Sequence, residues 1–255
     1  MGQPQYQQEK RASFKKQKRG ITKGDVSSPN NVVIMKNHMK LDHISPKTEA
    51  QRQAFDAILS EKHTILHGVA GTGKTFISLY LALKNLEDRS SSKKRIYIVR
   101  SVVPTREMGF LPGNDKEKAR VYEAPYKAIC EELFNRGDAY EIMKTRRAIE
   151  FMSTSFIRGT TLNDAIVIVD EVQNMTFHEL DSVITRIGKN CQLVLCGDFR
   201  QSDLCTSKDK SGIMDIMKIL DRIKGFEHVE FLMEDIVRSG FVKSYIIEKT
   251  KLGYT

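Results

Sequence analysis

The sequence has few of the features that mark secreted, membrane-spanning or metal-stabilised proteins. It holds four cysteines in 255 residues, and they form no CxxC pair and have no histidine at metal-ligand spacing. No apolar run approaches the length of a membrane span, and the amino terminus contains no apolar signal segment. Aromatic residues make up 8% of the chain and form no RNP motif. We therefore expect a cytoplasmic protein with reduced cysteines, no membrane partner and no RNP-type module.

Positive charge is concentrated at the amino terminus. The formal net charge is +9, and residues 1–24 carry seven basic side chains against one acidic side chain, a net of +6. This segment is rich in glutamine and poor in apolar residues, so we expect residues 1–30 to form a disordered basic arm. Residues 31–255 are expected to form a single domain. The arm suits nucleic-acid phosphates, and a solubilising tail explains its composition equally well.

The stretch from Gly68 to Thr75, GVAGTGKT, matches the phosphate-loop pattern GxxxxGK[ST] at every fixed position. A short strand-like segment precedes it, and Phe76–Leu86 has the apolar stripe of a helix. In that setting, backbone N–H groups and the helix dipole bind phosphate. Lys74 is expected to reach the β- and γ-phosphates, and the Thr75 hydroxyl to bind Mg²⁺. The predicted nucleotide-binding residues here are Gly68, Val69, Ala70, Gly71, Thr72, Gly73, Lys74, Thr75 and Phe76.

A continuous apolar run, Ile166–Glu171 (IVIVDE), ends in two adjacent acids. In a phosphate-loop ATPase, the carboxylate on the metal side emerges at the carboxyl end of a strand neighbouring the loop. Asp170 is therefore predicted to hold the Mg²⁺ shell. Glu171 is predicted to orient and polarise the attacking water.

A second apolar run, Leu193–Gln201 (LVLCGDFRQ), ends in Gly-Asp and then Gln. Asp198 and Gln201 are predicted to approach the γ-phosphate, and a Gln there can sense that phosphate by gaining or losing a hydrogen bond. An ordinary strand-to-loop turn is the alternative for this segment.

Strand and helix patterns alternate along the rest of the chain. Further strands are predicted at Arg95–Val99, Ile149–Met152 and His228–Met233, and helices at Lys47–Ser60 and Phe241–Lys251. Residues 116–147 have a helical composition, with predicted breaks at Pro125 and near Gly137. The alternation predicts an α/β fold with a mostly parallel sheet covered by helices on both faces.

The order of phosphate loop, DE pair and GDxxQ resembles the nucleotide-binding half of superfamily 1 helicases. Longer stretches are similar to the PhoH family of ATPases from about Pro46 onward: PKTEAQ (46–51), GFLPG (109–113), FIRGTTLNDA (156–165), VDEVQNMT (169–176) and DIVRSGFV (235–242). This resemblance implies a RecA-like P-loop NTPase core that uses ATP and Mg²⁺ and couples hydrolysis to RNA or DNA.

The resemblance also implies roles for individual residues. Gln51 matches the position that reads the adenine edge, and Arg238 matches a candidate arginine finger. The role of the segment with Arg158 and Thr161 stays open between nucleic-acid contact and coupling, and the segment with Arg100 and Arg106 follows a strand where helicases contact the nucleic-acid backbone. A solvated or structural role is the alternative for the three arginines.

Superfamily 1 helicases close two RecA-like halves around one ATP, whereas this chain has the length of one half. Arg238 must then act from its own chain or from a neighbouring copy. A ring or an open oligomer with sites at the subunit interfaces allows a neighbouring copy to supply the arginine. We expect a homo-oligomer, a hexamer by family likeness.

The function expected from these patterns is an ATPase that moves along or remodels nucleic acid, RNA in preference to DNA. The alternative is a slow nucleotide-dependent switch that recruits a protein partner. A kinase is less favoured, because Glu171 beside Asp170 suits the activation of water.

Overall fold

A computed structural model describes residues 39–102, 115–198 and 215–252, with only the backbone described for residues 115–119. Several predictions fall outside these residues: the basic arm, the GFLPG stretch, Arg106, Gln201 and the fourth cysteine, Cys205.

A parallel sheet of six strands organises the described chain. Its strands are β1 (His63–Gly68), β2 (Arg95–Arg100), β3 (Ile149–Ser153), β4 (Ala165–Val169), β5 (Gln192–Gly197) and β6 (Phe226–Phe231). The spatial order is β3-β2-β4-β5-β1-β6, and every pair of neighbours is parallel. Each predicted strand is confirmed, although β6 begins two residues before its predicted start. The α/β, RecA-like architecture expected from the sequence is confirmed.

Helices precede, separate and follow the strands along the chain. They are α1 (Glu49–Leu59), α2 (Lys74–Glu87), α3 (Asp115–Phe134), α4 (Ala139–Thr145), α5 (Phe177–Ile184) and α6 (Gly240–Lys251), with a further helical segment at 215–220. Every described helix is too short or too polar to cross a lipid bilayer.

The predicted helix break at Pro125 is wrong, because Pro125 lies inside α3. A proline within a helix costs about 3 kcal/mol. On either side of it, α3 buries Tyr122, Tyr126, Cys130 and Leu133 against the core, and this packing outweighs the cost. The predicted break near Gly137 is confirmed, since α4 begins at Ala139.

Apolar clusters cover both faces of the sheet, as expected for parallel strands. Strand β4 shows the alternation: Ile166 and Ile168 join one cluster, whereas Val167 and Val169 join the other. All five β4 residues are buried, which explains its continuous apolar sequence. Because the strands run in one direction, their carboxyl ends form a single edge of the sheet.

The predicted site residues lie at this edge of the sheet. The phosphate loop follows β1, Asp170 follows β4, and Asp198 follows β5. Strand β5 lies between β4 and β1 in the sheet. Side chains from the loop and from Asp170 must therefore meet across the end of β5.

Candidate nucleotide-binding site

The phosphate loop turns sharply against the end of β6. Gly68 has φ +114°, and a Cβ added there would lie 2.1 Å from the carbonyl oxygen of Phe231. The next residue, Val69, donates its backbone N–H to that same oxygen at 2.9 Å. Only glycine allows this approach, and Gly73, with φ +88°, then directs the chain into α2. The amino terminus of α2 consequently faces the loop, an arrangement that binds phosphate.

Lys74 lies at the centre of the loop. Its Nζ donates to the carbonyl oxygens of Gly68 at 2.9 Å and Val69 at 2.8 Å. Burial lowers the pKa of Lys74, and the carboxylate of Asp198 is the largest of the influences that raise it. The buried Thr72 hydroxyl donates to the same Val69 carbonyl at 3.0 Å. The loop is thus held by its own polar groups, among them the ammonium group of Lys74, whose contact with phosphate stays a prediction.

Asp170, the first residue of the acidic pair, is hydrogen-bonded to the end of the phosphate loop. Its Oδ1 accepts a hydrogen bond from the Thr75 hydroxyl at 2.8 Å, and its Oδ2 accepts one from Tyr126 Oη at 2.9 Å. Asp170 is only 4% exposed. The two residues predicted to hold Mg²⁺ are therefore in contact, and their oxygen ligands are of the kind that Mg²⁺ prefers.

Glu171 has an unusual backbone conformation, with φ +55°, which is strained for a residue other than glycine. Burial raises the pKa of its carboxyl group and the neighbouring Asp170 raises it further, whereas Arg100, Gln173 and Lys74 oppose the increase. The amide of Gln173 donates to the Glu171 carboxylate. The same side chain accepts the backbone N–H of Asp198 at 3.1 Å. Gln173 thereby fixes Glu171 relative to the end of β5.

Gln51 lies against the phosphate loop. It is buried, with its Nε2 donating to the Thr72 carbonyl at 3.0 Å and its Oε1 accepting the Lys47 backbone N–H at 2.7 Å. The bond to Thr72 joins α1 to the loop, and adenine recognition by Gln51 stays a prediction.

Arg238 also lies beside the loop of its own chain. The backbone N–H of Val237 donates to the Gly71 carbonyl at 3.1 Å. A Cβ added to Gly71 would lie 3.1 Å from Cγ of Arg238. The segment before α6 therefore packs on the same loop that follows β1.

Sequence reasoning did not identify Tyr126, Gln173 or Glu179 as part of this site. Tyr126 comes from α3, and no local pattern relates it to an aspartate 44 positions later. Burial raises the pKa of its hydroxyl well above the usual range, so the hydroxyl stays a donor. Gln173 carried a weak signal, as it stands two residues after Glu171 in the DEVQN stretch. Glu179 carried a partial one, because Thr-x-x-Glu is a capping-box pattern.

Glu179 accepts four hydrogen bonds from three segments. Its Oε2 accepts the backbone N–H of Thr176 at 2.9 Å and the Thr176 hydroxyl at 3.1 Å, which caps α5. Its Oε1 accepts the hydroxyls of Ser101 at 2.8 Å and Thr154 at 2.6 Å. Burial alone would raise the pKa of Glu179, but these donors lower it overall. The ends of β2 and β3 are therefore tied to the segment that follows Glu171.

These features define a P-loop NTPase domain: a parallel sheet, a glycine loop between β1 and α2, and an acidic pair joined to that loop. The sequence model of the family described as PhoH-like protein matches residues 43–249. The chain belongs to the PhoH-like family.

Curated relatives carry the same family name. A PhoH-like protein of Synechocystis sp. is 34% identical over 205 residues, covering 80% of this chain and 61% of that protein. Protein PhoH of Escherichia coli (strain K12) is 33% identical over 198 residues, covering 77% of this chain and 55% of that protein. The chain thus spans little more than half the length of these relatives.

Solved structures with similar backbones include the Pif1 helicase from Candida albicans, with TM-score 0.39 and 16% identity over 82% of this chain and 44% of that one. The large terminase from a thermophilic bacteriophage, in complex with ADP, has TM-score 0.45 and 14% identity over 78% of this chain and 48% of that one.

The approach of Gly68 to Phe231 predicts that Gly68→Ala is far more damaging than an alanine at another positive-φ glycine. Gly225 is the matched control, because it has φ +96° and nothing within 4 Å of an added Cβ. We expect Gly225→Ala to lower the free energy of unfolding by about 1–2 kcal/mol through backbone strain alone. Gly68→Ala should cost about 3 kcal/mol or more, since overlap adds to the strain. Urea unfolding of both variants measures this, and equal losses would show that the close contact is unimportant.

Proposed function

We propose that this protein is a Mg²⁺-dependent ATPase of the cytoplasm that couples ATP hydrolysis to the binding and movement of nucleic acid. The observation that carries the proposal is the Thr75–Asp170 hydrogen bond, which brings the phosphate loop to the acidic pair. This contact brings together the loop, the oxygens proposed to bind the metal and the half-buried carboxylate of Glu171, the groups that phosphoryl transfer to water requires.

The chain's own residues have distinct parts in this reaction. The loop N–H groups and Lys74 bind the phosphates, and Thr75 and Asp170 are the residues that would hold Mg²⁺. Bound Mg²⁺ supplies charge neutralisation on the phosphate oxygens. Glu171 orients the attacking water and accepts its proton, a task suited to a carboxyl group whose pKa is raised by burial. Gln173 holds that carboxylate in place.

Arg238 is proposed to stabilise charge on the transferring phosphoryl group. Its side chain packs beside Gly71 of its own loop, which supports action within one chain. We also propose a homo-oligomer, a hexamer by family likeness. If Arg238 acts within its own chain, a neighbouring subunit does not have to donate an arginine to the site.

Nucleic acid is proposed to bind at the ends of β2 and β3. Arg158 and Thr161 are exposed in the segment that runs from β3 to β4. Arg100 differs from them: it is half-buried, and although burial lowers its pKa, interactions with Tyr126, Glu171 and Asp170 raise it overall. We assign Arg158 and Thr161 to contact, and Arg100 to coupling between that contact and the acids. RNA is favoured over DNA on family likeness.

One observation favours the alternative, a slow switch that recruits a protein partner. Helix α6 has no buried residue, and Phe241 (83%), Tyr245 (62%) and Leu252 (71%) are exposed along it and at its end. Their spacing puts the three side chains along one stripe of the helix. An apolar stripe of this kind suits a protein surface.

Glu171→Gln should separate nucleotide binding from cleavage. We expect the ATP turnover rate to fall by about 10²–10⁴-fold, because the water loses its proton acceptor. ATP affinity should be kept, since the loop and Asp170 are unchanged. Lys74→Ala is the contrasting variant and should lose binding itself. Fluorescent-nucleotide titration and phosphate release measure the two quantities, and normal hydrolysis by the Glu171→Gln variant would remove this residue from the mechanism.

Single-stranded nucleic acid should raise the ATP turnover of the wild-type protein severalfold. The measurement is phosphate release with and without oligo(U) and oligo(dT), at two salt concentrations, alongside solution mass. A nucleic-acid-driven ATPase predicts a rise that weakens with salt. An unchanged rate would favour the switch.

Mixing Glu171→Gln protein with Arg238→Ala protein tests where Arg238 acts. If each arginine serves the nucleotide of its own chain, no subunit in the mixture is complete, and we expect hydrolysis to stay at the level of the parents. Recovery of activity in mixed assemblies would show instead that a neighbouring copy donates the arginine.

A further inference from the structure

Phe156 is a large aromatic side chain that projects from the turn after β3 with 64% of its surface exposed. Single exposed apolar residues are common and need no explanation by themselves. This one is unusual because the residues around it are fixed. Thr154, two positions earlier, is 4% exposed, and the following side chain, Ile157, is fully buried.

Backbone hydrogen bonds hold this turn at the edge of the sheet. The N–H of Phe156 donates to the Ser153 carbonyl at 3.0 Å, and the N–H of Thr154 donates to the Arg100 carbonyl at 3.2 Å. Thr154 is also bound through its hydroxyl to Glu179. The exposed ring is therefore presented by an anchored support, so little conformational entropy is lost when a ligand covers it.

The residues next to Phe156 in the sequence indicate the class of ligand. Residues 153–161 (STSFIRGTT) contain one basic side chain, the exposed Arg158, and no acidic one. The hydroxyl-bearing Thr160 and Thr161 are exposed as well. A short segment that exposes an aromatic side chain, a cation and hydroxyls is suited to single-stranded nucleic acid, in which a base stacks on the ring and the phosphates meet the positive charge.

We propose that Phe156 is a stacking platform for one base of a single-stranded nucleic acid. This inference rests on the proposed function and specifies where the strand contacts the protein. The turn that carries Phe156 is also linked to the segment that follows Glu171. Thr154 donates a hydrogen bond to Glu179, and Glu179 accepts one from Thr176. A nucleic acid stacked on Phe156 is therefore connected by hydrogen bonds to the segment that follows Glu171.

Substitution of Phe156 tests the stacking. Phe156→Ala should weaken oligo(U) or oligo(dT) binding by about 5- to 150-fold, the range for one stacked base. Phe156→Leu keeps an apolar side chain without a π-face and should weaken binding nearly as much. The salt dependence should be unchanged in both variants, whereas Arg158→Gln should lower the slope by about 0.7, the value for one phosphate contact with a single strand. Phe241→Ala is the matched control, since Phe241 is an exposed phenylalanine on α6, and its affinity should equal that of the wild type.

Phe156→Trp gives a direct spectroscopic readout, because the chain contains no tryptophan. We expect this variant to bind nearly as tightly as the wild type and its indole fluorescence to be quenched when oligo(U) is added. If the wild type binds oligonucleotide while Phe156→Ala binds equally well and the indole signal does not change, stacking is wrong and the proposed function survives. If Phe156→Ala changes the solution mass and not the affinity, a second copy covers the ring and the inference is overturned. Failure of the wild type to bind either oligonucleotide overturns the proposed function and this inference with it.

Discussion

The hydrogen bond between Thr75 and Asp170 is the contact on which the site depends. It joins residues 95 positions apart and spans the end of β5, which separates the strands that carry them. A parallel sheet buried on both faces makes this possible, since all its strands end at one edge and cannot shift register without exposing apolar side chains. Tyr126 donates a hydrogen bond to the other carboxylate oxygen of Asp170. The aspartate is thereby fixed from two helices.

Backbone conformations that are costly elsewhere recur around this contact. Gly68 lies against the backbone of Phe231, and Glu171 has a left-handed conformation next to the buried Asp170. Such strain persists only where the surroundings hold it. Here Gln173 binds the Glu171 carboxylate and the β5 end together, and the glycine that ends β5 leaves room for it, because a Cβ there would lie 2.6 Å from the Gln173 oxygen. The structure stabilises one orientation of the carboxylate proposed to activate water.

Different parts of the site lie at different strands along the carboxyl edge of the sheet. The phosphate loop and the acids occupy the centre, from β1 to β4. Arg238 and α6 lie on the β6 side of the loop, and the exposed turn with Phe156 follows β3 at the opposite edge. Glu179 connects that outer turn to the centre by accepting hydroxyls from Ser101 and Thr154. This arrangement places the proposed nucleic-acid contact and the chemistry on separate segments with a short polar connection between them.

Local sequence was sufficient for the phosphate loop, the DE pair, the strands and most helix ends, because each depends on glycine conformations, apolar runs or caps within a few residues. It failed at Pro125, where burial of Tyr126 and its neighbours in the core outweighs the cost of a proline. Local sequence had no signal for the bond from Tyr126 to Asp170, for the bonds from Ser101 and Thr154 to Glu179, or for the position of Arg238 beside its own loop. Those contacts join residues that are distant along the chain, so only the packing of the helices on the sheet decided them.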